Sequence, residues 1–143
     1  MERVGVTYLM DTAPWINATT LPQSVPRHIR DLLETNGQIG LCSVSLLEAA
    51  ILHRLGRLQL RGTLPEFFTA AMASNLQLLE LTPAIAAKTN ELSADFQGDP
   101  FDRAIAATAA ILHLTLITTD AAIRDANVCE VVYYPFRLSR KQP

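Results

Sequence analysis

The chain has 143 residues, 49% of them hydrophobic and 18% charged, with a formal net charge of −2. That length suits one domain with one core, which buries about two-thirds of the surface that the unfolded chain exposes. The longest apolar stretch, Ala104 to Ile117, is interrupted by His113 and by threonines well short of the ~20 residues that span a bilayer. The opening Met-Glu-Arg-Val-Gly-Val lacks a cationic stretch followed by an apolar run, so the expectation is a cytoplasmic protein with no membrane role. Cys42 and Cys129 have no C-x-x-C spacing and no nearby histidine pair, which predicts neither zinc nor a disulfide. Ten of the twelve cations are arginines. Arg54, Arg57 and Arg61 form one cluster, and Arg137, Arg140 and Lys141 form a basic tail over 137–143. Arginine forks suit phosphate oxygens, although single surface arginines are ordinarily just solvated.

In chain order, the β-branched and aromatic run from Val4 to Met10 predicts a first strand, ended by Asp-Thr-Ala-Pro, where Pro14 opens a short helical turn. A helix is expected over Val25 to Thr35, from Ile29, Leu32 and Leu33 at helical spacing and the stop Asn36-Gly37. Ile39 to Cys42 follows as a strand. A helix capped by Ser43 or Ser45 then runs to about Leu55, with Gly56 as its stop. Pro65 leads into a helix over Glu66 to Ser74, and Leu76 to Leu81 reads as a strand. Pro83 opens a helix that ends near Asp95, and an alanine-rich helix covers Asp102 to His113. Leu114 to Thr118 is a buried strand, Asp120 begins a short helix, and Val131 to Tyr134 is a last strand. Strand alternating with helix at these lengths predicts an α/β fold with a mostly parallel central sheet flanked by helices, in a single domain over 1–143 with its core at about 8–134. No internal repeat, linker or low-complexity segment divides the chain.

Four acids stand out in that frame. Ligands of open parallel sheets sit beyond the carboxyl ends of the strands, and Asp11 and Asp120 each directly follow a predicted strand. Asp102 begins the helix that leads into the strand ending at Thr118. Glu48 shares the row Val44, Glu48, Leu52 and Leu55 on what should be a buried helix face, where a carboxylate needs a partner. With lysines nearly absent, convergence of the four implies a metal ion. Oxygen-only ligation favours magnesium or manganese over zinc. Such an ion activates a water and neutralises charge on a phosphate. Each acid also has a plain reading: Asp11 as the cap of a turn, Asp102 and Asp120 as helix N-caps, Glu48 as a solvated side chain one step out of place.

The motifs Tyr-Leu-Met-Asp-Thr at 8–12, Ser-Val-Ser-Leu-Leu-Glu at 43–48, His-Arg-Leu-Gly-Arg-Leu-Gln-Leu at 53–60, Asp-Pro-Phe-Asp-Arg at 99–103 and Leu-Ile-Thr-Thr-Asp at 116–120, in this order, resemble the PIN-domain ribonucleases. The likeness is to the small VapC-like toxins of bacterial and archaeal toxin-antitoxin pairs and runs from about Tyr8 to Tyr134. It implies a three-layer α/β/α fold and a magnesium-dependent ribonuclease, manganese substituting. Asp11, Glu48, Asp102 and Asp120 would be metal ligands and catalytic acids, with Thr12 and Thr118 orienting them from behind. Asp99 would be an auxiliary acid, and Arg103 would stand beside the site as a substrate-binding group. It further implies an RNA substrate, a cognate antitoxin, a homodimer, and DNA met only through the antitoxin. Leu47, where many relatives have tryptophan, and Pro14-Trp15 depart from the family pattern, which bears on the substrate pocket. The helix with Phe67, Phe68 and Met72 could offer apolar surface to a second chain, with core packing the plainer role.

Two other classes are set beside this one. A haloacid-dehalogenase phosphatase or a response-regulator receiver also has an aspartate after the first strand. The first needs another aspartate at position 13, where this chain has Ala13, and both need a placed lysine, where only Lys88 and Lys141 exist. The remaining alternative is a catalytically silent PIN-like module that binds RNA or protein.

Overall fold

A computed structural model describes residues 5–94, 96 and 98–136. Its elements are β1 (Tyr8–Met10), α1 (Thr12–Thr20), a 3-10 turn (Pro22–Ser24), α2 (Arg27–Thr35), β2 (Ile39–Cys42), α3 (Ser43–Arg54) and α4 (Leu64–Met72), followed by β3 (Leu76–Leu79), α5 (Pro83–Glu91), α6 (Pro100–Leu112), β4 (Thr115–Thr118), α7 (Ala121–Ala126) and β5 (Val131–Tyr133). All strand pairs are parallel, in the order β3-β2-β1-β4-β5. The chain builds outward from β1 to β3, then crosses back to place β4 on the other side of β1. Such a reversal opens a crevice at the carboxyl ends of the two strands that flank it, here β1 and β4.

Strand periodicity divides the core into two halves. Leu9 and Leu116 face a cluster with Ile85, Ile105, Ala106 and Ile123 from α5, α6 and α7. The alternate residues Met10 and Ile117 face Trp15, Ile29, Ala49 and Ala71 from α1, α2, α3 and α4. Leu9, Leu41, Leu116 and Ile117 are fully buried, as strands covered on both faces by helices must be. Each such side chain contributes about 1.5–3 kcal/mol relative to exposure. The outcome is the three-layer α/β/α arrangement expected, with a sheet that is wholly parallel among the described residues.

Several element boundaries differ from the sequence expectation. Helix α1 begins at Thr12 rather than at Pro14, because Asp11 caps it and proline in the first turn forfeits an amide hydrogen that has no partner there. Thr63 and Glu66 close a reciprocal capping box, which starts α4 at Leu64 and shifts it two residues earlier. Helix α5 ends at Glu91, short of Asp95, and α6 begins at Pro100 because Asp99, not Asp102, is its N-cap. Strand β3 stops at Leu79 and β5 at Tyr133. Gly37 and Gly56 end α2 and α3 with φ of 63° and 76°, values that a Cβ disfavours. Val4 of the expected first strand and the basic tail 137–143 lie outside the described residues.

Candidate active site

Asp11 is the first residue after β1. Its amide continues the ladder to the Ile117 carbonyl at 2.9 Å, which pins its backbone between two strands. Its carboxylate is 6% exposed and held at both oxygens. Oδ1 accepts the Thr12 amide and Oδ2 accepts the Thr118 hydroxyl, both at 2.8 Å. Thr118 ends β4, and its hydroxyl oxygen in turn accepts the Asp120 amide at 3.0 Å. One threonine thereby fixes Asp11 and the turn that carries Asp120. Asp120 caps α7 by accepting the Ala122 amide at 2.8 Å. Asp99 caps α6 through the Asp102 amide at 2.8 Å, so Asp102 sits in the first turn with its carboxylate free of capping duty.

Glu48 lies midway along α3, half-buried, and its Oε1 is sealed from solvent with no hydrogen-bond partner. The face of α3 that packs inward is Ser45 and Ala49. Of the row expected to be buried, Val44, Glu48 and Leu52 are only half-buried and Leu55 is exposed. Glu48 therefore stands at the margin of the core, facing the other acids rather than sunk among apolar side chains. Ser45, which the sequence reading passed over, is fully buried and accepts the Thr12 hydroxyl at 2.8 Å, tying α1 to α3 one turn before Glu48.

Electrostatics shows that these groups form one cluster. Burial raises the Asp11 carboxyl above its ordinary value. The bonds from Thr118 and Thr12 offset part of that, while Asp120 and Asp99 push it further up. Burial likewise raises Glu48, softened by the nearby Thr12 hydroxyl and reinforced by Asp11 and Asp99. Asp102 is pushed up to about 7, first by burial and then by the charges of Asp99, Asp11, Asp120 and Glu48. Among the described residues, none of these five acids makes an ion pair with a cation. Mutual repulsion without a counter-charge is the signature of carboxylates arranged for a metal ion. The buried, unpartnered Glu48 Oε1 and an all-oxygen donor set fit a hard divalent ion held by Asp11, Glu48, Asp102 and Asp120. Among the described residues, no three acids stand close enough to share an ion as they are, so ligation requires side-chain rotation.

Arg103 has a different occupation from the one expected. Its guanidinium donates to the carbonyls of Phe96, Thr89 and Leu92 at 2.9, 2.7 and 3.3 Å, and stacks 5.6 Å from the Phe96 ring. It braces the end of α5 and the connection into α6, which sets where Asp99 and Asp102 start. Neither thiol is activated, since burial pushes Cys42 up to about 12 and Cys129 up to about 11. A cavity of about 860 Å³ opens away from the acids, between the end of α1, the 59–63 loop and α4, lined by Thr19, Arg61, Glu66 and Phe67 among others. Phe67 stacks 5.4 Å from Trp15 and 6.0 Å from Phe68, so both phenylalanines serve the core, while Met72 is 40% exposed.

Comparison with known proteins supports the same placement. Residues 8–128 match the model of the PIN domain. Ribonuclease VapC22 of Mycobacterium tuberculosis is 31% identical over 121 residues, covering 83% of this chain and 91% of that protein. The structure of VapBC2 from Rickettsia felis bound to a promoter DNA fragment superposes with a TM-score of 0.68 at 17% identity, over 89% of this chain and 98% of that one. A toxin-antitoxin complex from Klebsiella pneumoniae superposes with a TM-score of 0.64 at 22% identity, over 91% and 100%. At those identities the two structures attest the fold alone, and it is the domain match together with the relative that shows the family: the chain belongs to the PIN-domain proteins of the VapC-like kind.

Proposed function

We propose that the protein is a divalent-metal-dependent endoribonuclease, the toxin of a toxin-antitoxin pair, which hydrolyses RNA phosphodiesters at Asp11, Glu48, Asp102 and Asp120. One observation carries the reading: Asp102 is pushed up to about 7 first by burial and then by the charges of four other carboxylates, with no cation paired to any of them among the described residues. Magnesium, or manganese in its place, supplies charge neutralisation at the phosphate and lowers the pKa of an attacking water.

The chain's own residues divide the work. Asp11, fixed at both oxygens by Thr12 and Thr118, is the rigid ligand that defines the site. Glu48 offers an uncommitted oxygen, and Asp120 keeps one while the other caps α7. Asp102 is the adjustable member. With a carboxyl near 7 it exchanges a proton at neutral pH until a bound cation selects the charged form. Asp99 orders the first turn of α6, and Arg103 braces the approach to it. Thr12 and Thr118 hold the acids from behind.

The relative named a ribonuclease supports RNA as substrate, and the superposed toxin-antitoxin complexes support a cognate antitoxin, with DNA reached through it. A homodimer and a cytoplasmic setting complete the reading, as does a single domain over 1–143. Among the described residues no helix is long and apolar enough to cross a membrane. A catalytically silent PIN-like module is the second reading, favoured only by the distance at which the acids stand from a shared ion. To decide between them, purified protein and its Asp102→Asn variant are incubated with total cellular RNA in magnesium, manganese or excess chelator, and cleaved ends are mapped. Discrete cuts that need metal and vanish in the variant support the nuclease. Cutting by both proteins or by neither sinks it.

A further inference from the structure

Gly98 lies in the segment that leads into α6, between Phe96 and Asp102, and is half-buried. It is not one of the glycines with a left-handed backbone, which among the described residues are Gly37 and Gly56. What its position demands is therefore space rather than conformational freedom. A Cβ added there would stand 2.7 Å from Phe96 Cζ, 2.9 Å from Phe96 Cε1 and 2.9 Å from the Cβ of Asp102. Carbon atoms ordinarily settle no closer than about 3.5 Å, so something would have to move. Neither neighbour yields easily. The Phe96 ring is 4% exposed and lies under the Arg103 guanidinium, whose three carbonyl bonds include one to Phe96 itself. The Cβ of Asp102 is one bond from a helix backbone that Asp99 pins through the Asp102 amide at 2.8 Å. Bare backbone at residue 98 is thus seated between a clamped ring and the root of an acidic side chain.

We propose that Gly98 is a positioning residue for Asp102, its backbone closing one side of the rotation open to the Asp102 carboxylate. The side chain turns about χ1 among three staggered wells, and a well that points at residue 98 meets main chain there. Since the acids must rotate to share an ion, a side chain with fewer wells to leave gives up less on ligation. The role of Asp102 as a ligand rests on the function proposed above, whereas the packing of Gly98 against it does not.

Two measurements test the proposal. In metal-free protein, three-bond NMR couplings across the Asp102 Cα–Cβ bond report which χ1 wells are occupied. One dominant well is expected in the parent, and a different well or an average over several in Gly98→Ala. A parent that already averages over its wells overturns the proposal, and so do couplings that are the same in both proteins. The second measurement is manganese titration of thermal stability, in which Gly98→Ala should weaken apparent affinity about tenfold. Adding Phe96→Leu removes the ring tip and gives the new methyl room to retreat from Asp102. The double variant should recover most of the affinity while melting lower still, because core contacts are lost. A merely structural role for Gly98 would move affinity and stability together. Unchanged affinity in Gly98→Ala refutes positioning, as does a loss that Phe96→Leu fails to restore. A parent that gains nothing from manganese refutes the metal site instead, and the couplings still decide whether Gly98 orients Asp102.

Discussion

Removing a charge from the acidic cluster should make the metal-free protein more stable, not less. Asp102→Asn deletes the carboxyl whose folded value is pushed from 3.8 up to about 7, and leaves its amide bond to Asp99 in place. The sign follows from proton linkage. Between pH ~4 and ~7 the folded parent binds a proton that the unfolded chain has released, so parent stability falls as pH rises through that window and reaches its low plateau above 7. A shift of that size carries about 4 kcal/mol at full weight. The half-exposed position screens it, which brings the expected penalty to about 1–2 kcal/mol. In chelator at pH 8, the variant should therefore melt about 4 °C above the parent, and the gap should close near pH 4. With saturating magnesium the order reverses, since only the parent gains from the ion. Urea melts followed by Trp15 fluorescence at pH 4, 6 and 8 suffice. A variant less stable at pH 8, or a gap that does not change with pH, would refute the account of an uncompensated acidic cluster.

Three further outcomes are expected. Thr118→Val keeps the shape of the side chain but leaves Asp11 Oδ2 and the Asp120 amide without their shared partner; it should cost about 1–3 kcal/mol in urea melts and reduce metal-dependent cleavage. Arg103→Lys keeps the charge but cannot fork across the Phe96, Thr89 and Leu92 carbonyls. A loss of about 1–2 kcal/mol is expected, and an unchanged melting temperature would return Arg103 to the substrate side of the site. Gly40→Ala would bring a Cβ within 2.9 Å of Leu79 Cδ1 and 3.3 Å of the Tyr8 carbonyl. The leucine tip can move but the backbone of β1 cannot, so a destabilisation of about 1–3 kcal/mol should appear in thermal melts.

Much of this architecture can be read from residue order because periodicity and punctuation act locally. The run Leu116-Ile117-Thr118 announces a buried strand, and Asn36-Gly37 and Gly56 announce where helices stop. The side-chain reach of Asp11 and Asp120 beyond strand ends is likewise a local inference. What could not be read depends on partners distant in the chain. Spacing alone puts Glu48 in a buried row, yet the packing of α3 turns Ser45 and Ala49 inward and leaves Glu48 at the rim. Arg103 sits one residue after an acid of the cluster, so adjacency placed it beside the site. Only the fold reveals that the end of α5 and the segment leading into α6 offer it three carbonyls. Asp99 rather than Asp102 caps α6 because proline favours the first helical position, a preference visible in Asp-Pro-Phe-Asp.

The place of β4 in the sheet has a consequence for synthesis. Asp11 is made early, but both the hydroxyl that holds its carboxylate and the strand that pairs with the far side of β1 come from Thr115–Thr118, more than a hundred residues later. A nascent or truncated chain that lacks those residues has an unclosed sheet and a first acid without its anchor. The proposed site therefore cannot close until β4 has been made, and a chain that stops anywhere between residues 12 and 115 lacks both the anchor of Asp11 and Asp120.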